Sequence, residues 1–263
     1  MARSAILNIM VQAAAKAGRS LTRDFGEVEN LQVSRKGPAD FVTSADQAAE
    51  KIILEELKYA RPTYSFLMEE GGEIKGEDGQ HRWIVDPLDG TTNFLHSIPL
   101  FAVAIALERN GEIIASVIYN PIMEELYTAQ KGAGAWLNNR RLRVASRRKI
   151  SDAVISTGIK TTGTKNDALT LKQLGIISPS CAGIRRTGSA STDLAWLAAG
   201  RIDGYWEANL GAWDVAPGYL LVKEAGGFVS DYSGKDRSIS NGEVVAGNEI
   251  IQAKLLKSIK SAS

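Results

Sequence analysis

The apolar positions of this chain change rhythm along its length. From residue 4 to 24, Ile6, Leu7, Met10, Val11, Ala14, Ala17 and Leu21 recur three and four apart. That spacing marks one face of an amphipathic helix lying on a core. Gly37-Pro38 signals a turn. Ser44 with Gln47 three residues on has the form of a capping box. It predicts a helix carrying Ala48, Ala49, Ile52, Ile53 and Leu57 that stops before Pro62. Tyr64–Met68 reads as a short strand ending in Glu69-Glu70, followed by a glycine-rich, charged loop to Arg82. Trp83-Ile84-Val85 is a further apolar strand, and it ends abruptly in charge at Asp86.

Hairpin signals follow. Phe101–Leu107 and Glu112–Tyr119 flank Asn110-Gly111, a strong turn dipeptide. Leu126–Ala129 and Ala135–Leu137 flank a second glycine-rich turn, so the first half reads as an antiparallel meander. The second half alternates: strand 153–157, helix near 166–174, strand near 183–186, helix 190–199, strand 203–207, helix 214–225, strands 227–231 and 243–246, helix 248–260. Alternation implies sheet covered by helices, an α/β (α+β) fold. The pattern changes near residue 145, which predicts lobes 1–145 and 146–263 of one enzyme unit with a cleft between them.

Composition narrows the field more than it identifies. The 263 residues are 44% hydrophobic and 23% charged with a formal net charge of +1, so no global field draws the chain to nucleic acid or membrane. Arg3, Lys16, Arg19 and Arg23 interrupt any apolar run that a signal peptide or membrane span would need. Cys181 is the only cysteine, which excludes an internal disulfide and fits a cytoplasmic location. Neither His81 nor His96 sits in a motif that would partner it as a nucleophile.

The chemistry concentrates in Asp86-Pro87-Leu88-Asp89-Gly90-Thr91-Thr92. Pro87 has no N–H for a ladder, so the strand is expected to stop there. Asp89 is expected to cap a new helix or turn, with Gly90 allowing close backbone approach. The N–H groups of Gly90, Thr91 and Thr92 then form an anion site. Two carboxylates beside it would repel an anion, and a divalent cation between them resolves the conflict. Mg²⁺ suits carboxylate, carbonyl and water oxygens and bridges to phosphate, with the Leu88 carbonyl as a further ligand. Glu69-Glu70 at a strand end and Trp213-Asp214 at a helix start supply more acid groups.

These segments resemble the inositol monophosphatase family, within the wider class of Mg²⁺-dependent, lithium-sensitive phosphatases that includes fructose-1,6-bisphosphatase. The signature W-x-x-D-P-[IL]-D-G-T-T-N-F stands at residues 83–94, and W-D-x-A with a later E-A-G-G at Trp213–Ala216 and Glu224–Gly227. Pro38–Gln47 and Glu69-Glu70 match as well, so the likeness spans nearly the whole chain and is closest to bacterial inositol-1-monophosphatases.

The resemblance implies a layered α-β-α-β-α sandwich, a cytoplasmic homodimer, and hydrolysis of myo-inositol monophosphate by metal-activated water with two to three Mg²⁺ per site. It assigns Glu69, Asp86 and the Leu88 carbonyl to a first metal, and Asp86, Asp89 and Asp214 to a second. Asp46 and Thr91 match the pair that orients or deprotonates the water, and Gly90 and Thr91 match the phosphate donors. Glu207 and the loop Gly188-Ser189-Ala190 match positions facing the inositol ring, and Arg185 a position at the substrate mouth. The family has Thr more often where this chain has Ser189.

Two alternatives stay open. The same chemistry serves histidinol phosphate, a 3′-phosphoadenosine nucleotide, fructose 1,6-bisphosphate or NADP. Separately, Arg140, Arg141, Arg143, Arg147, Arg148 and Lys149 form a basic stretch that a role on RNA or the transcription machinery would use.

Overall fold

The computed structural model describes residues 3–27, 33–37, 40–159 and 165–262. Helix α1 (Ala5–Phe25) buries Leu7, Met10, Ala13, Ala14, Ala17 and Leu21, the stripe its periodicity predicts. Strands β1 (Val33–Gly37) and β2 (Asp40–Thr43) pair antiparallel as a ribbon that the periodicity did not announce. Pro38 of the expected turn lies outside the described residues.

Helix α2 (Ser44–Ala60) begins one residue away from the expected cap. The N-cap is Thr43, whose backbone is extended and whose hydroxyl accepts from the Ala45 and Asp46 amides. Asp46, not Gln47, closes the box by accepting from the Thr43 amide at 2.8 Å. Ser44 is already helical, so its hydroxyl cannot serve as cap.

Strands β3 (Ser65–Met68), β4 (Gly72–Ile74) and β5 (His81–Asp89) follow, then the short helix α3 (Thr91–Leu95). The meander comprises β6 (Ala102–Arg109), β7 (Glu112–Asn120), β8 (Glu125–Gln130), β9 (Gly134–Leu137) and β10 (Arg140–Arg141). Asn110 and Gly111 both take positive φ, as the β6–β7 turn requires. These strands form one sheet in the order β10-β9-β8-β7-β6-β5-β3-β4, with only β3 and β5 parallel.

Strand β5 does not stop at Pro87. Asp86 pairs with Ala104 and Asp89 with Ala102, so three steps on β5 oppose two on β6. This bulge leaves Pro87 and Leu88 out of register, where a missing N–H costs nothing, and the ladder resumes at Asp89.

The rest comprises β11 (Val154–Thr157), α4 (Lys165–Ile177), β12 (Gly183–Arg185), α5 (Ala190–Ala198), β13 (Gly204–Glu207), α6 (Ala212–Glu224), β14 (Phe228–Ser230), α7 (Ser238–Asn241), β15 (Val244–Gly247) and α8 (Glu249–Ala262). Its five strands run in the order β12-β11-β13-β15-β14.

Three apolar cores stack the layers. On one face of the large sheet, Trp83, Val85, Val103, Ile105 and Leu107 meet α1 and α2. On the other, Ile84, Ala102, Ala104 and Ala106 meet α5 and α6, which Tyr205, Val244 and Ala246 of the small sheet cover from beyond. Outside the small sheet, Ile155, Trp206 and Val245 pack on Ile251, Leu255 and Ile259 of α8 and Ile177 of α4. The strict alternation of β6 writes this arrangement. Its large residues face α1 and α2, and its alanines let α5 and α6 approach. The result is the α-β-α-β-α sandwich. Among the described residues no helix is long and apolar enough to cross a membrane.

Candidate active site

The bulge of β5 aims its acids into the seam beside α5 and α6. One carboxylate oxygen from each of Asp86, Asp89 and Asp214 lies within 4.8 Å of the others. Glu69 stands at the end of β3, tied to β5 by its amide donating to the Val85 carbonyl at 3.2 Å, and its carboxyl hydrogen-bonds Asp86. Burial, then the charges of Glu69, Asp89 and Asp214, push the Asp86 carboxyl well above the usual carboxylate range.

A backbone amide holds each of the three aspartates in place. Asp86 Oδ1 accepts from the Leu88 amide at 2.9 Å. Asp214 sits in the first turn of α6, and its Oδ2 accepts from the Gly211 amide at 2.6 Å. Asp89 Oδ2 accepts from the Ser191 amide at 2.6 Å, the Ser189 hydroxyl at 2.8 Å and the Ser191 hydroxyl. Asp89 therefore does not cap α3. The N-cap is Gly90, whose φ of +98° only glycine adopts without strain and whose own side a Cβ would crowd against the Leu100 carbonyl.

This donor set fits a hard divalent cation. Each pair of ionised carboxylates at this separation repels by about 3 kcal/mol at an effective dielectric of about 20. The amides and hydroxyls that donate to the three aspartates orient their oxygens. All-oxygen ligation of this kind suits Mg²⁺, Ca²⁺ or Mn²⁺ over softer metals.

Asp46 approaches from α2. Its Oδ2 is occupied by the Thr43 amide and hydroxyl, and its Oδ1 accepts from Thr91 Oγ1 at 3.0 Å. Thr91 Oγ1 also lies 3.1 Å from the Leu88 carbonyl, so its one proton is shared between two acceptors. Burial raises Asp46 above its ordinary value, against the pull of the Thr43 and Thr91 donors, and Glu70 adds to the rise.

A cavity of about 200 Å³ opens from the acids, bounded by Asp89, Thr92, Asn93, Gly158, Ile159, Arg186, Gly188, Ser189, Ala190, Asp193, Glu207, Leu210 and Asp214. Of the residues singled out from sequence, Asp89, Gly188, Ser189, Ala190, Glu207 and Asp214 all line it. Asp46, Glu69, Asp86, Leu88, Gly90 and Thr91 do not line it but join Asp89 behind it: Asp86 clusters with Asp89 and Asp214, Glu69 abuts Asp86, and Thr91, next to Gly90, links Asp46 to the Leu88 carbonyl. Arg185 does not line it. The Arg185 side chain is exposed and turns back to the Ile184 carbonyl, while Arg186 reaches the wall and donates to the Ile159 carbonyl at 3.0 Å.

Several contributors were not read from sequence. Thr43 anchors Asp46, and Ser191 anchors Asp89. Asn93 donates to the Leu100 and Thr187 carbonyls at 2.6 and 2.7 Å, stitching α3 to the loop before α5. Asp193 accepts from Ser156 at 2.6 Å, and burial holds it well above the usual carboxylate range. The spacing Thr43-x-x-Asp46 was a usable signal for the first, since Asp serves at the third helical position as Glu does. The others depend on contacts between residues remote in the chain: 102 positions for Ser191 and Asp89, 94 for Thr187 and Asn93, 37 for Asp193 and Ser156.

Comparison with known proteins places this geometry. The pattern of the inositol monophosphatase family matches residues 2–263. The chain is 63% identical over 260 residues to an inositol-1-monophosphatase of Mesorhizobium japonicum, covering 99% of this chain and 98% of that one. It is 41% identical over 255 residues to the Nus factor SuhB of Escherichia coli, covering 97% and 96%. The crystal structure of the extragenic suppressor protein suhB from Bartonella henselae superposes with a TM-score of 0.95 at 57% identity, covering 98% of this chain and 99% of that one.

Proposed function

Because the chain belongs to the inositol monophosphatase family, we propose that it hydrolyses myo-inositol monophosphate to inositol and phosphate. The observation that carries this reading is the convergence of Asp86, Asp89 and Asp214 beside Glu69 at a cavity that Glu207 also lines. Glu69, Asp86, Asp89, Asp214 and the Leu88 carbonyl would hold Mg²⁺. Bound there, the metal supplies Lewis-acid stabilisation of phosphoryl charge and lowers the pKa of water.

The chain's own residues do the rest. Thr91 Oγ1 orients the attacking water and passes its proton to Asp46 Oδ1, with which it already shares a hydrogen bond. The first-turn amides of α3, at Gly90 and Thr91, lack helical partners and receive phosphoryl oxygens. Water adds to phosphorus as the ester P–O bond breaks, and the alkoxide leaves with a proton from solvent. Glu207 accepts hydrogen bonds from hydroxyls of the leaving alcohol, which suits a polyol. Ser189, Gly188 and Ala190 shape the wall beside it.

The test is steady-state hydrolysis across a panel of phosphate esters with Mg²⁺. Asp89→Asn keeps the fold and loses nearly all activity, while the wild-type protein favours inositol monophosphate. Full Mg²⁺-dependent activity in Asp89→Asn would sink the assignment.

A second role is supported by one observation. Arg140, Arg141, Arg143, Arg147, Arg148 and Lys149 are all exposed, and of these only Arg147 has a described carboxylate partner, Asp203 at 3.1 Å. This basic edge suits RNA or a transcription complex, and the likeness to a Nus factor supports that reading. Binding lost on charge reversal of this edge and kept in Asp89→Asn would separate the role from catalysis.

A further inference from the structure

Glu207 ends β13, and the parallel pairing of Thr157 with Trp206 sets Gly158, the residue after β11, directly beside it. A Cβ built on Gly158 would lie 1.9 to 2.1 Å from both carboxylate oxygens and the carboxyl carbon of Glu207. Those three atoms are its nearest neighbours, so backbone is not what it would strike first. Gly158 is also not among the residues with positive φ, so the backbone there does not itself demand glycine. The buried Tyr205 hydroxyl also donates to Glu207 Oε2 at 2.6 Å. Gly158 and Glu207 both line the cavity that holds Asp89 and Asp214.

We propose that Gly158 and Tyr205 are specificity-determining positioning residues: the space left at 158 and the hydroxyl at 205 aim the Glu207 carboxylate at the hydroxyls of the substrate alcohol. The inference rests on the reading of the site as a polyol-phosphate phosphatase. A side chain at 158 evicts the carboxylate from its place without touching the acidic cluster. Substrates that present hydroxyls lose an acceptor, and substrates without them do not.

The experiment compares kcat/KM for myo-inositol 1-phosphate and for p-nitrophenyl phosphate, whose leaving group has no further hydroxyl. The proteins are wild type, Gly158→Ala, Tyr205→Phe, Glu207→Asp, and Gly158→Ala in the Glu207→Asp background. Gly158→Ala lowers the ratio of the two kcat/KM values about tenfold, chiefly through KM for the inositol ester, as loss of one hydrogen bond to a charged group implies. Tyr205→Phe moves the ratio the same way, and it decides the matter should Gly158→Ala not fold. In the Glu207→Asp background the shorter side chain leaves room, so adding Gly158→Ala costs little more, a coupling that a general structural role would not give. An unchanged ratio in both single variants, or losses that multiply in the double variant, overturns the inference. A wild-type protein that shows no preference for the inositol ester overturns instead the reading on which it rests.

Discussion

Ser191→Ala is the sharpest probe of how the acidic cluster is held. The substitution deletes one of three donors to Asp89 Oδ2, keeping the Ser191 amide at 2.6 Å and the Ser189 hydroxyl at 2.8 Å. Asp89 is 8% exposed, so water cannot replace the lost bond cheaply. A hydrogen bond to a buried charge is worth about 2 kcal/mol. For a chain of this size that is a fall in Tm of roughly 4–8 °C in metal-free protein. Losing a group that orients a metal ligand also weakens divalent-cation affinity, by roughly 10–100-fold. Calorimetric titration with Mg²⁺ measures the second effect, and thermal melting under chelator the first.

Ser189→Ala makes a useful comparison. Ser189 also caps α5 by accepting from the Thr192 amide at 3.3 Å, so its removal costs about 1 kcal/mol more stability with a similar loss of metal affinity. Wild-type Mg²⁺ affinity in Ser191→Ala, with an unchanged melt, would refute the claim that these donors preorganise Asp89.

Two further outcomes are expected. Thr43→Val removes the hydroxyl that donates to Asp46 Oδ2 and caps α2; it lowers kcat about tenfold and stability by about 1 kcal/mol, read from initial rates at saturating substrate and from urea melts. Burial lifts Asp193 well above the carboxylate value of 3.8, so between about pH 4 and its folded pKa the native state binds more protons than the unfolded chain and stability falls as pH rises. Asp193→Asn keeps an acceptor for Ser156 and flattens that slope, measured by metal-free melts from pH 4 to 7; a slope identical to wild type would count against it.

What the sequence disclosed depended on how local the determinant was. Helices α1 and α2 and strands β6 and β7 were legible because a buried face repeats with its own period. The acids of the β5 bulge were legible because charge at the end of an apolar strand has few other uses. The bulge itself was not, because Pro87 reads as a strand stop unless the partner strand can absorb an extra residue, and Ala102 to Ala104 do so out of sight. The cap at Thr43 was displaced by one residue because Ser44 carries the same chemistry, and only backbone conformation distinguishes them. Arg185 and Arg186 alternate across a strand end, so which one meets the cavity was a matter of register. Ser191, Asn93 and Gly158 act through partners far along the chain, and no local pattern reports them.

The tie between Asp89 and Ser191 also orders events in time. The two residues are 102 positions apart, and Asn93 and Thr187 are 94 apart. During synthesis the acidic bulge emerges long before the residues that restrain it, and Asp214 later still. Until α5 and α6 have been made, the bulge lacks the donors that restrain Asp89, and the middle core has neither of its helices. A chain cut anywhere before Asp214 is therefore an incomplete fold and an incomplete catalyst at once. Neither half alone carries the whole cluster of Asp86, Asp89 and Asp214, so a proteolytic fragment of either half is expected to be inactive.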